Sequence, residues 1–392
     1  MALNDLTINF TDGNLNPQLP GEDHISGLVA YTGSVLPDGF ATDDRVKPVF
    51  SLTEAESLGI TDDASDTEIL LLHYALKEAF RLNPGMKIWV GCFAAPSSFD
   101  FAEITTLQRA ASGQCRRIGV LSLNQDQFTT AHVTSIQTIC NTLKSEHMPV
   151  VVFLEANPGN WELSTDWPDL SELTAPNVGV VIGADAGNEG AALSTSTGVP
   201  VGMIGAVIGA HSKALAHESI GWVSKFNLVT GKELDTPSLI SGELIKNLSA
   251  GALGSLQDYR YIFPRKHVGI SGTYLNDSLN ANVASSDYNA IERITVANKA
   301  YRLLRAAYLP TLSGPILLEG GLIQKDVVAA LRAQGGRALD QMLRTGEISE
   351  YTILVDPDQD IVNTSTLEIA AKVVPVGVAR NIIVNFSFNV TV

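Results

Sequence analysis

Lys87-Ile88-Trp89-Val90-Gly91-Cys92-Phe93 is a short apolar run that follows the turn Asn83-Pro84-Gly85. It has the length and composition of a buried strand. A helical pattern, Asp66 to Leu82, precedes it. After it come a helix over Phe101–Ala111, a strand over Arg117–Leu123, a helix over Asp126–Glu146 and a strand over Pro149–Glu155. Val178–Gly183 is a further buried strand. Strands alternating with helices of ten to twenty residues predict an α/β layer with largely parallel pairing.

Upstream, Gly27–Thr32 is strand-like, and Val46–Phe50 leads into a helix start with Ser51 as cap and Glu54 three residues on. Residues 12–25 are a turn-rich linker, and residues 156–176 a polar loop bearing tryptophan. Residues 198–228 read as helix then strand, and the spacing Gly205-xxx-Gly209 marks close helix packing. Residues 271–287 are polar and aperiodic, which predicts a long surface loop. Helices follow over Tyr288–Leu309, stopped by Pro310, and over Gln324–Arg344, loosened by Gly335-Gly336 and closed by Gly346. Strands over Tyr351–Val355 and Thr366–Val373 precede Pro375. The expected fold class is α/β (α+β), with mixed sheets flanked by helices in two domains and extended β-strand arms at both ends.

Those arms are the unusual feature. From Ile382 onward every even position is apolar (Ile382, Val384, Phe386, Phe388, Val390, Val392), and the odd ones are mostly polar. That two-residue period is a strand with one apolar face. Leu6, Ile8 and Phe10 alternate with polar residues in the same way. Such edges need completion. Either both strands pair inside the chain's own sheet, or they are donated to other copies.

Composition narrows the function. The chain has 392 residues, 45% of them hydrophobic and 17% charged, enough for two domains and a real core. A net charge of −16 argues against nucleic acid as a partner, because phosphate binding needs a basic field. Cys92, Cys115 and Cys140 form no CxxC pair and read as small buried hydrophobes. Met1–Asp5 has neither the basic nor the apolar region of a secretion signal. The most apolar stretch, Gly198–Ala210, is too short to span a bilayer.

Charge is unevenly spread. Residues 1–100 hold fifteen Asp/Glu against five Lys/Arg, and residues 291–344 hold four against eight. On a helical wheel Ala290, Ile294, Ala297, Tyr301, Leu304 and Tyr308 share one side, with Lys299, Arg302 and Arg305 opposite. That basic stripe is either an ordinary solvated face or a docking face for an acidic partner.

Catalytic signatures are missing: there is no GxxxxGK[ST], no HExxH and no GxSxG. His211 and His217, six apart, do not share a helix face as a zinc pair would. Asp356-Pro357-Asp358-Gln359-Asp360 opens like a calcium loop, but Ile361 stands where glycine is required and Leu367 where glutamate is required, which favours a turn. Asp185 and Glu189 follow a buried strand, where ligands often sit in open sheets. With no metal motif beside them they read as a helix start.

Taken in order, several segments resemble contractile tail sheath proteins of phage tails and related injection systems. Val49–Glu56 resembles their early strand and SLxEAE element. Gly272–Asp277 resembles the loop before the long helix, Tyr288–Arg293 the helix start, and Leu331–Leu343 the second helix. Ile353–Asp356 with Asn363-Thr364 resembles the next strand and turn, and Val373–Val376 with Ile382–Val392 the entry to the C-terminal arm. Residues 95–235 match nothing in that pattern.

The resemblance implies an arm and linker over 1–25, an outer α/β domain over 26–240, a C-terminal domain over 241–378 and an arm over 379–392. It also implies a helical homopolymer around an inner tube, stitched by donated terminal strands, whose contraction drives the tube through a membrane. Partners would be other copies, the inner tail tube protein, and baseplate and terminator proteins, with no nucleic acid, no direct membrane insertion, no cofactor and no enzymatic step. Lys299, Arg302 and Arg305 would face the tube. Assembly would take place in the bacterial cytoplasm, and the product would be a virion tail or injection-system particle. The rival reading is an α/β enzyme or ligand-binding protein with intramolecular terminal strands; a third is another virion structural protein.

Overall fold

The computed structural model describes residues 22–33, 35–96, 99–121, 128–156 and 167–388. The chain divides into two compact units, Met1–Leu215 with Ile220–Ile294, and Ala216–Ser219 with Thr295–Val392. The boundary expected at 240/241 thus falls inside the first unit.

The first unit is built on a seven-stranded sheet. Its strands, in spatial order, are Tyr261–Ile262, Val178–Val181, Val151–Glu155, Arg117–Val120, Ser26–Thr32, Ile88–Ala94 and Val46–Val49. All pair in parallel except the last, which runs antiparallel to Ile88–Ala94. Pro48 sits in that last strand, at a sheet edge where a missing N–H is tolerated. Every residue of Ser26–Thr32, Arg117–Val120, Val151–Glu155 and Val178–Val181 is buried. Both faces of a parallel sheet must be covered, so the strands are near-continuous apolar runs.

Alternate residues sort to the two faces. Val29, Ile118, Val120, Val152 and Val180 join Ile104, Leu107, Val133, Ile136 and Leu143 of the helices Glu103–Ala110 and Thr130–Ser145 in one core cluster. On the other face Gly119 lies beneath Ile204 and Ile208 of the helix Ile204–Lys213. That helix packs in turn on Thr67–Leu82, which Asp66 caps by accepting from the N–H groups of Glu68 and Ile69. The two helix backbones touch: a Cβ on Gly205 would lie 1.9 Å from the Ala75 carbonyl oxygen, and one on Gly209 2.8 Å from that of Ala79. The expected close packing at Gly205-xxx-Gly209 is therefore a backbone-to-backbone contact. No strand forms in 214–228, where one was expected. All three cysteines are buried, and burial pushes the Cys115 and Cys140 thiols up to about 12.

The polar stretch 271–287, expected as a surface loop, is corrected over 273–282, which is largely buried, while Ser271, Ala284, Ser285 and Asp287 stay exposed. Thr273, Ser278, Asn280 and Asn282 are almost fully inaccessible, and Tyr274–Leu275 and Ala281–Asn282 form short strands. Side-chain amides supply what a ladder would otherwise provide. Asn276 Nδ2 donates to the Tyr261 carbonyl (3.0 Å) while its Oδ1 accepts from Phe263 N (2.9 Å). Asn280 Nδ2 donates to the carbonyls of Pro176 and Tyr288, both at 2.8 Å. Burial of so polar a segment is helped by these partners, although Ser278 Oγ and Asn282 Oδ1 are buried without one.

Two buried ionisable groups mark the interior. Arg117 Nε donates to His211 Nδ1 (2.6 Å) and its Nη2 to the Asp23 carbonyl (2.6 Å). His211 is therefore neutral with its proton on Nε2, and burial, then the Arg117 charge, holds its pKa well below the usual value. Glu155 ends its strand with a carboxylate whose Oε2 accepts from Ile204 N (3.3 Å). Burial pushes this carboxyl up to about 8.

The second unit holds the helix Lys325–Arg344, most of the helix Ile291–Tyr308, and an antiparallel pair, Ile348–Leu354 with Ala370–Pro375. Its core gathers Val296, Ala300, Val328, Leu331, Leu339, Met342, Ile348 and Ile353. The helix Lys325–Arg344 is unbroken through Gly335-Gly336, against the expected loosening. Gly335 lets the Tyr308 ring approach, and Tyr308 Oη donates to the Leu331 carbonyl (3.0 Å).

The wheel reading is also corrected. The stripe facing this core is Val296, Ala300, Leu303, Leu304 and Tyr308, which places Lys299 beside it. Lys299 Nζ meets Glu347 Oε1 at 2.7 Å, with the two side chains 11% and 1% exposed. Lys299 does not stand on an outward stripe.

Three outcomes follow from this packing. Gly205→Ala forces the Ala75 and Gly205 backbones apart and should destabilise by about 1–3 kcal/mol. Gly254→Ala, in the helix Ala250–Asp258 with nothing within 4 Å, should be neutral or stabilising by up to about 1 kcal/mol. Urea unfolding of the two variants checks the contrast.

Lys299→Met leaves Glu347 buried without its cation and should cost about 3–5 kcal/mol. Exchanging both residues for an apolar pair should restore most of the loss, measured the same way.

Because the folded pKa of Glu155 is raised, the unfolded chain releases this proton first, and stability from this group falls as pH rises from about 4.5 to about 8. Glu155→Gln should therefore gain on the order of 1 kcal/mol or more at pH 8 and nothing at pH 4, read from thermal unfolding at the two pH values.

Candidate assembly surfaces

The acidic groups singled out in the sequence serve structure. Asp185 accepts from Tyr74 Oη (2.7 Å), Gly187 N (2.9 Å) and Leu234 N (3.3 Å). Burial raises its pKa, while these hydrogen bonds oppose the shift. Glu189 pairs with Lys77, so both carboxylates hold the helix Thr67–Leu82. In the turn 356–360, Asp356 accepts from Asp358 N (2.9 Å) and Asp360 caps the helix Ile361–Thr364 through Asn363 N (3.2 Å). Among the described residues no group of three or more His, Cys, Asp or Glu is placed to hold a metal ion. No helix there is long and apolar enough to cross a membrane.

Surface features are more informative. Beyond Pro375 the segment 376–388 forms no ladder among the described residues. Ile382, Val384, Phe386 and Phe388 are 81%, 81%, 78% and 92% exposed. Phe386 and Phe388 contact each other edge to face, with centroids 4.9 Å apart, as two residues on one side of an extended chain can. Over its described part, 382–388, the strand expected over Ile382–Val392 has the right periodicity and pairs with no strand among the described residues. Val390, and Leu6, Ile8 and Phe10 of the N-terminal arm, lie outside the described residues.

This segment leaves from a sheet that has room for more strands. Among the described residues Ile348–Leu354 and Ala370–Pro375 pair only with each other, from Leu354↔Ala370 to Ile348↔Pro375. The sheet rests on the helix Lys325–Arg344, where Tyr351 Oη donates to Asp340 Oδ1 (2.6 Å). A two-stranded sheet offers two outer edges of unpaired backbone.

Near the beginning of Ala370–Pro375 lies a groove of about 630 Å³ in the same unit. Leu309, Leu312, Ile316, Ile361, Leu367 and Ile369 line it, and Arg305 is its charged member. Of the three basic residues expected on one stripe, Lys299 is thus buried against Glu347, Arg305 borders the groove, and Arg302 is half-buried. Periodicity alone did not show this groove, because its walls come from two separate stretches of chain.

Comparison with solved structures shows whose fold this is. A chain of the anti-feeding prophage (AFP) baseplate, 6-fold symmetrised, superposes with a TM-score of 0.65 at 12% identity, covering 99% of both chains. A chain of the AFP helical sheath in the contracted state gives 0.64 at 12% identity, covering 97% of this chain and 100% of that one. A chain of an extracellular contractile injection system, the PVC sheath complex in the contracted state, gives 0.63 at 10% identity, covering 100% and 98%. The α/β fold is shared along nearly the whole length. No curated protein matches the chain. Family models described as DUF2586, N-terminal domain and DUF2586, C-terminal domain match residues 3–279 and 287–392, and the chain belongs to the DUF2586 family.

Proposed function

We propose that this chain is the structural subunit of a contractile sheath, a helical polymer that forms around an inner tube and shortens to drive it through a target membrane. The observation that carries the reading is the exposed apolar segment 382–388, leaving a sheet with two open edges on a body of sheath-like fold. Strand addition satisfies both at once: the segment gains backbone partners and the sheet gains a strand. It also tethers neighbours while whole bodies turn, since a flexible connection accommodates rigid-body rotation. The N-terminal residues Leu6, Ile8 and Phe10 are proposed to join a neighbour's sheet in the same manner.

Other copies are the main partners on this reading, with the inner tube in the bore and baseplate and terminator proteins at the ends. The protein would belong to a virion tail or injection-system particle assembled in the bacterial cytoplasm, and would carry out no enzymatic step. Of the basic stripe, Lys299 is engaged with Glu347, and Arg302 and Arg305 are the residues to test against the tube.

The exposure of 382–388 makes the reading testable. The full chain purified alone should form long tubes in negative stain. Removing residues 380–392 should leave the melting temperature within about 2 °C, since residues 380–388 are exposed, and should abolish the tubes. A truncated chain that unfolds would show that the segment belongs to its own core. A full chain that remains a small defined oligomer would favour the enzyme or binding-protein reading.

A further inference from the structure

Strand addition alone is permissive, because backbone hydrogen bonds do not distinguish one extended segment from another. Pockets for alternate side chains supply the selection. We infer that the groove lined by Leu309, Leu312, Ile316, Ile361, Leu367 and Ile369 receives Phe386 and Phe388 of a second copy of this chain. The inference rests on the strand-donation reading above and adds the site that fixes its register.

Four observations lead to it. First, the chain's own aromatic pair is not in its own groove, since Phe386 and Phe388 are 78% and 92% exposed. Second, the chain's direction carries the segment away. Ile369 lines the groove immediately before the strand Ala370–Pro375, and the segment departs from the strand's other end, about 17 Å on at 3.3–3.4 Å per residue. Extended, residues 376–388 then reach about 40 Å, enough to cross to a neighbour.

Third, the two rings share one side of the segment and touch, so they can enter a single hollow together. At about 630 Å³ the groove lies in the usual range for binding pockets. Fourth, the chemistry matches. Residues 381–388 carry no charge, and apart from Arg305 the groove wall is apolar or hydroxylic. Leu312, 75% exposed, is a large apolar side chain left in water that such an occupant would cover.

Cross-linking tests the seat directly. Chains carrying Phe388→Cys and chains carrying Leu367→Cys are mixed under assembling conditions and treated with a short bis-maleimide; the native cysteines are buried. Covalent dimers should form in the mixture and not from either chain alone. A second measurement uses Phe386→Ser with Phe388→Ser, which keeps the backbone and its hydrogen bonds. It should raise the minimum concentration for assembly about tenfold or more, as loss of central aromatic anchors does.

Tubes that form without the mixed cross-link, or that assemble at an unchanged concentration with both serines, would overturn the groove while leaving strand donation intact. A cross-link inside single chains carrying both cysteines, below the assembling concentration, would show the segment folding back and overturn it too. If the chain lacking 380–392 still assembles, the underlying reading fails, and the groove assignment falls with it.

Discussion

An extended apolar backbone needs partners for its N–H and C=O groups, and residues 376–388 do not find them in a ladder among the described residues. The arrangement of the rest is consistent with leaving that need open. The first unit closes its own accounts: a central parallel sheet covered on both faces, with an antiparallel strand bearing Pro48 at one edge. In the second unit the sheet of Ile348–Leu354 and Ala370–Pro375 has two strands, held against one helix, and among the described residues neither outer edge is paired. Two-stranded sheets are marginal alone, and further strands would stabilise this one. The incompleteness sits in one place, next to the segment able to complete it.

Much of the first unit was legible because burial writes itself into period and run length. The strands at 26–32, 117–120, 151–155 and 178–181 are apolar runs because both of their faces are covered. The cap at Ser51 is local chemistry, visible within four residues. The glycine pair at 205 and 209 was legible for the same reason: two backbones in contact leave no room for a Cβ.

What failed to show was burial achieved without hydrophobicity. Residues 271–287 look like a surface loop because their satisfaction comes from Asn276 and Asn280, whose partners at Tyr261, Phe263 and Pro176 are distant in sequence. Lys299 looked like a surface charge for the same reason: its counter-ion, Glu347, lies beyond the next helix. The segment at the C-terminus was the converse case. Its period was readable, but a period cannot say which chain supplies the partner. The groove at 305–316 and 361–369 depends on two distant stretches meeting, which no local pattern encodes.

Charge divides along the same line as the fold. Residues 295–392 carry nine Lys/Arg and nine Asp/Glu and are neutral, so the remaining seventeen Lys/Arg and thirty-three Asp/Glu give residues 1–294 the whole net charge of −16. Identical copies repel through surfaces of one sign, and the repulsion reaches about 10 Å at ordinary ionic strength. Close approach between copies is therefore least opposed through the neutral part, which contains the unpaired segment, the open sheet and the groove. On the strand-donation reading proposed above, copies associate through the neutral part and the acidic bodies keep apart. On the proposed reading, body-to-body contacts then remain to be made after the copies are already tethered. That order lets an assembly hold free energy in reserve instead of releasing it on first contact.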